Sequence, residues 1–130
     1  PRVLGDFLVN RARPSIFSTA PPPRMAAAVR EALRIVSDEP ARRETLHWLI
    51  AHAERVLTPL GVTPTGSQVL PLIVGGDAET MVRATAVQAK GFDVRGIRPP
   101  TVPAGTARLR ISLTLNVTQG DIERLAEALA

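Results

Sequence analysis

The sequence predicts an α+β domain: a small three-stranded, mainly antiparallel sheet covered by helices. Three observations carry this. Apolar residues recur at helical spacing through the first 60 of the 130 residues, whereas only three later runs read as strands. The last two strand runs, over 92–97 and 107–115, are joined by a short loop rich in proline and glycine, which makes them antiparallel. That loop opens with Arg98 and then carries Pro99, Pro100, Pro103 and Gly105. Proline fixes φ and removes a donor, so the segment is expected to be a stiff, extended arm that holds a guanidinium at a fixed angle.

Taken in order, Val3 to Val9 reads as a short helix with Val3, Leu4, Phe7 and Leu8 on one face. Residues 14–23 are expected to be extended, and the triplet Pro21–Pro23 prepares a helix start, where a missing N–H is harmless. Met25, Val29, Leu33 and Val36 carry that helix to about Ser37. Asp38-Glu39-Pro40 is a stop and a restart, since acids and a proline suit a first turn. Leu46, Leu49, Ile50, Ala53, Val56, Leu57 and Leu60 form the clearest helical stripe, running from about Ala41 to Thr58.

Val69 to Val74, bounded by Gly75-Gly76, reads as a buried strand. A helix follows from Asp77, its expected cap, to Lys90, with Met81, Val82, Thr85 and Ala89 inward and Gly91 closing it. Phe92 to Ile97 is the second strand. Ala107 to Leu115 alternates strictly, with Leu109, Ile111, Leu113 and Leu115 on one face and Arg108, Arg110, Ser112 and Thr114 on the other. Thr118 and Asp121 have capping-box spacing before a last helix lined by Ile122, Leu125, Ala126 and Leu129. The expected division is 1–60, an extended segment with connecting helices, and 61–130, the small α+β domain.

Composition narrows the classes of function. The formal charge of +4 comes almost wholly from arginine, since Lys90 is the sole lysine. The arginines are scattered, and three phenylalanines, one tryptophan and no tyrosine leave few platforms for stacking bases, so no nucleic-acid partner is expected. No apolar run spans a bilayer and no leader precedes the first helix, so no membrane partner is expected either. The absence of cysteine excludes disulfides and thiolate metal sites. The expected home is the cytoplasm, and a chain opening at Pro1 without methionine is expected to be a fragment of a longer protein.

The chemistry-bearing residues point to anion binding without a catalytic centre. His47 and His52 are five apart, which rotates them away from a shared metal, and both read as solvated helix-face histidines. Gly75-Gly76-Asp77 lacks the further glycines and lysine of a phosphate loop and reads as a tight turn. Ser18 and Thr19 stand before a proline-led helix start; a cap or turn role and phosphate binding both fit them. Arg98 fits either a solvated edge arginine or a carboxylate anchor. Arg108 and Arg110 read as a plain solvated face. No nucleophile system is evident.

The segment Ile97 to Leu113, the segment RARPSIFSTAPPP at 11–23 and SDEPARRETL at 37–46 together resemble the C-terminal third of the 8-amino-7-oxononanoate synthases. These belong to the α-oxoamine synthases, and the resemblance covers essentially the whole chain in consistent order. It implies the small domain of a homodimeric, fold-type-I pyridoxal-phosphate enzyme of biotin synthesis. Such an enzyme condenses L-alanine with a pimeloyl thioester, on CoA or acyl carrier protein, and releases carbon dioxide. By the same resemblance Arg98 binds the amino-acid carboxylate, Thr101 contacts substrate, and Ser18 and Thr19 reach the cofactor phosphate of the partner subunit. The family's Schiff-base lysine lies in a Gly-Thr-x-x-Lys-type motif that this chain does not contain, and Lys90 does not match it. The chain alone is therefore expected to be inactive. Sister synthases acting on glycine, 5-aminolevulinate synthase and glycine C-acetyltransferase, are the enzyme-class alternatives, and a free-standing binding module is the other.

Overall fold

A computed structural model describes residues 2–12 and 21–130, which form two compact units divided between Glu39 and Pro40. The boundary expected at 60/61 falls inside the second unit, because the helix before it packs on the last helix of the chain and shares one core with the strands. Among the described residues no helix is long and apolar enough to cross a membrane.

In the first unit, α1 spans Arg2–Arg11 and α2 spans Pro23–Asp38. Pro22 occupies the cap position of α2, and Pro23 begins it without losing a bond. Glu31, Arg34 and Asp38 form an exposed ion-paired row on α2, at 2.6 and 3.1 Å. The Arg34 guanidinium holds the Glu31 carboxyl below its ordinary range. No residue of α2 is buried. Glu39 leaves helical geometry at φ −117°, ψ 65°, as a residue before proline does.

The second unit opens with α3, Pro40–Leu57, which continues into a 3₁₀ turn at Thr58–Leu60. Then come β1 (Val69–Gly75), α4 (Asp77–Ala89), β2 (Arg95–Ile97), β3 (Ala107–Ser112) and α5 (Gln119–Leu129). The sheet order is β1-β3-β2, and both pairings are antiparallel, with Leu72 opposite Leu109 and Ile97 opposite Arg108. Helices cover one face. Ala107, Leu109 and Ile111 turn inward from β3 and are at most 2% exposed, and Leu109 and Ile111 join Leu49, Ala53 and Leu57 of α3 and Ile122 of α5 in one core.

Four sequence expectations change here, each for a physical reason. The second strand is shorter than 92–97, because Gln88 Nε2 donates to Val94 O at 2.8 Å and takes that carbonyl out of any ladder. The alternation of the third ends at buried Leu113; Leu115 lies in a turn and is 39% exposed. Asp77 is not the cap of α4, since Gly76 holds that position with no side-chain bond and Asp77 opens the helix, where its charge suits the dipole. The inward face of α4 is Thr80, Ala84 and Val87, while Met81 and Val82 face out. Small residues are required there because β2 lies close: a Cβ on Gly96 would come within 3.0 Å of Met81 Sδ and 3.4 Å of Thr80 and Ala84.

Two local signals are realised as read. Gly91, at φ +91°, ends α4 with its N–H on Gln88 O and that of Phe92 on Val87 O, the paired bonds of a Schellman motif. Thr118 and Asp121 form a reciprocal capping box at the start of α5.

Candidate anion-binding site

The candidate site lies where β2 ends and the chain crosses to β3. Residues 98–106 do not run as an extended arm. The Thr101 N–H donates to Arg98 O at 3.1 Å, closing a turn across Pro99 and a cis Pro99–Pro100 bond. A second turn follows, in which Thr106 donates to Pro103 O through its N–H at 3.2 Å and its hydroxyl at 2.7 Å. Prolines fix the φ values and remove competing donors, so the loop is rigid by folding back on itself. Arg98 and Thr101 are brought together as the two ends of one turn, and both side chains are exposed.

The bond partners of the arginines sort them. In the second unit Arg55 meets His52, Arg83 meets Glu79, Arg95 meets Asp93 and Arg124 meets Asp121. Arg108 donates Nε to Thr106 O at 2.9 Å and so ties β3 to the loop. Arg42 and Arg43 are also engaged. Arg98 and Arg110 alone have no side-chain partner among the described residues of this unit. Arg110 lies opposite Arg95 on the open face of the sheet, where Asp93 compensates the charge of Arg95 but not that of Arg110. Alternation put both Arg108 and Arg110 on the polar face with one solvated role, and no sequence signal told which one keeps a free guanidinium.

The other site residues fall elsewhere. Ser18 and Thr19 lie outside the described residues. Lys90 caps α4, and its Nζ donates to Ala128 O at 3.0 Å, near the end of α5. His47 is exposed, as expected, but His52 is buried at 7% exposure, correcting its solvated reading. It stands three residues after Leu49 and one before Ala53, on the apolar stripe, and that spacing was the available signal.

Residues 3–129 match the family model for aminotransferase class I and II. The chain is 44% identical over 136 residues to the 8-amino-7-oxononanoate synthase of Ralstonia pickettii, an alignment covering 98% of this chain and 33% of that protein. It is 46% identical over 134 residues to the namesake from Halorhodospira halophila, covering 99% of this chain and 33% of the relative. The chain thus spans about a third of the length of the curated relatives it matches. In shape it is similar to the crystal structure of the 8-amino-7-oxononanoate synthase of Francisella tularensis, with TM-score 0.78 at 20% identity over 99% of this chain and 38% of that one. A serine palmitoyltransferase of Sphingomonas wittichii gives TM-score 0.81 at 22% identity, over 95% and 32% of the two chains. At these identities the structural likeness speaks to the fold.

Proposed function

The chain belongs to the aminotransferase class I and II family, and on that premise we propose that it is the C-terminal, substrate-clamping part of a pyridoxal-phosphate-dependent acyltransferase. The reaction proposed is that of the relatives' name: L-alanine condensed with a pimeloyl thioester, on CoA or acyl carrier protein, to 8-amino-7-oxononanoate with loss of carbon dioxide. Identities of 44% and 46% across nearly the whole chain support this choice. The proposed assembly is a homodimer in the cytoplasm, in which Ser18 and Thr19 contact the cofactor phosphate of the partner subunit.

The observation that carries the reading is the free guanidinium of Arg98 on a turn stiffened by prolines. A planar guanidinium binds a carboxylate through two parallel N–H bonds, fixing its angle as well as its position. Arg98 is assigned to the α-carboxylate of alanine, Thr101 at the other end of the turn to a substrate contact, and Arg110 to the same anion-binding face. Held so, the amino acid presents its Cα to the acyl donor without rotational freedom.

Pyridoxal phosphate, when bound, supplies an electron sink for a carbanion at that carbon. The residues here do not fit its imine, because the amine of Lys90, the only lysine, is bonded to Ala128 O. The share of this chain is binding and orientation.

In the complete enzyme Arg98→Ala is expected to raise KM for the amino acid by about 2–4 kcal/mol in free-energy terms, the range for losing one partner of a charge-assisted pair. An unchanged KM returns Arg98 to a solvated role. Turnover with L-alanine against glycine tests the substrate, and a preference for glycine points to a sister α-oxoamine synthase.

A further inference from the structure

His52 is buried between α3 and α5, and the proposed binding role leaves it unused. Its Nδ1 lies 2.8 Å from Arg55 Nη2, so the neutral ring accepts there from the guanidinium and carries its proton on Nε2. Gln119 Nε2 approaches the same nitrogen at 3.4 Å. Nε2 itself is buried without a hydrogen-bond partner, and Glu123 Oε1 stands 3.6 Å from it, beyond hydrogen-bond reach. Arg55 on its own helix and Glu123 on α5 are thus the charged groups against the ring. The 3₁₀ turn Thr58–Leu60, which also packs on α3, carries none. Trp48, one turn earlier, stacks on the imidazole with centroids 6.1 Å apart and planes at 17°.

We propose that His52 is a pH-operated latch between α3 and α5, exchanging Arg55 for Glu123 when it takes up a proton. The proton comes from solvent and binds Nδ1, which turns that nitrogen from acceptor into donor. Arg55 can no longer donate to it, and two cations now face each other. The charged ring attracts the Glu123 carboxylate, whose side chain is 60% exposed and free to approach Nε2. Arg55 is released into the hollow of about 260 Å³ that it lines with Trp48, Ala51 and His52.

Trp48 is the single tryptophan in these 130 residues and reports the event, because a charge placed on the ring stacked against it changes the surroundings of the indole. Titrating the complete protein from pH 8 to 5, with any tryptophan outside these 130 residues replaced by phenylalanine, is expected to give one step in Trp48 fluorescence. His52→Gln abolishes the step. Glu123→Gln moves its midpoint down, since an opposite charge that favoured the imidazolium is gone. Arg55→Gln moves the midpoint up. His47→Gln, next to Trp48 but exposed, leaves the step in place. A step that survives His52→Gln, or a midpoint unmoved in Glu123→Gln, overturns the latch. Glu123 is a surface residue, so that second variant keeps its fold.

Discussion

Arg108 and Arg110 sit two positions apart on β3 and face the same side of the sheet, yet their bonding differs. Arg108 is half-buried and fastened to Thr106 O, so its removal loosens the loop that carries Arg98. Arg110 is exposed and fastened to nothing among the described residues. Arg110→Ala is therefore expected to leave stability within about 0.5 kcal/mol and, on the proposed carboxylate-binding role, to raise KM for the amino acid; urea unfolding and steady-state kinetics on the complete enzyme separate the two effects. A lowered unfolding midpoint with unaltered KM would contradict that assignment. Gly96 is constrained in the opposite sense. With Thr80 and Ala84 3.4 Å from where a Cβ would stand, Gly96→Val must push β2 off α4. A loss of about 1–3 kcal/mol in urea unfolding is expected, the usual cost of overpacking.

The elements that sequence reasoning recovered best are those whose instructions are local. The start of α5 is written in Thr118 and Asp121 alone, and the box forms. Bonds from the Thr118 hydroxyl first, and then from its N–H, hold the Asp121 carboxyl below its ordinary range. A depressed folded-state value means the stabilisation is present above the unfolded aspartate pKa of about 3.9 and is lost as pH falls through and below it. Thr118→Ala should cost about 1 kcal/mol at neutral pH. The stability gap between the native chain and Asp121→Asn should close between pH 6 and pH 2, and a gap independent of pH would refute the cap's charge. The elements misjudged were set by distant partners. Gln88 on α4 shortens β2 by taking Val94 O, and the close approach of β2 decides which side of α4 turns inward. Neither neighbour is visible in the segment being read.

At the scale of the whole molecule, every buried hydrophobic residue described lies at or beyond Leu49, so the core belongs entirely to the unit 40–130. Removing residues 1–39 is expected to leave a cooperatively unfolding domain with an unchanged urea midpoint; a broadened or shifted transition would show that the first unit supports it. The proposed anchor at Arg98 was read from its prolines, which mark rigid backbone wherever they stand. Its shape as two turns was not, because it depends on the bonds that Thr101 and Thr106 make back across the loop. Leu109→Ala should cost about 2–5 kcal/mol, since this side chain is fully enclosed at the centre of the sheet. The strand that carries it has a further property. Its side chains alternate with a period of two, so the register that encloses Leu109 and Ile111 also aims Arg108 and Arg110 the other way. A slip by one residue would drive guanidiniums into the apolar interior and leave no core at all. A misaligned yet folded species cannot accumulate: one register sets both the packing and the aim of Arg108 and Arg110, so protein quality control that inspects only packing inspects that aim as well.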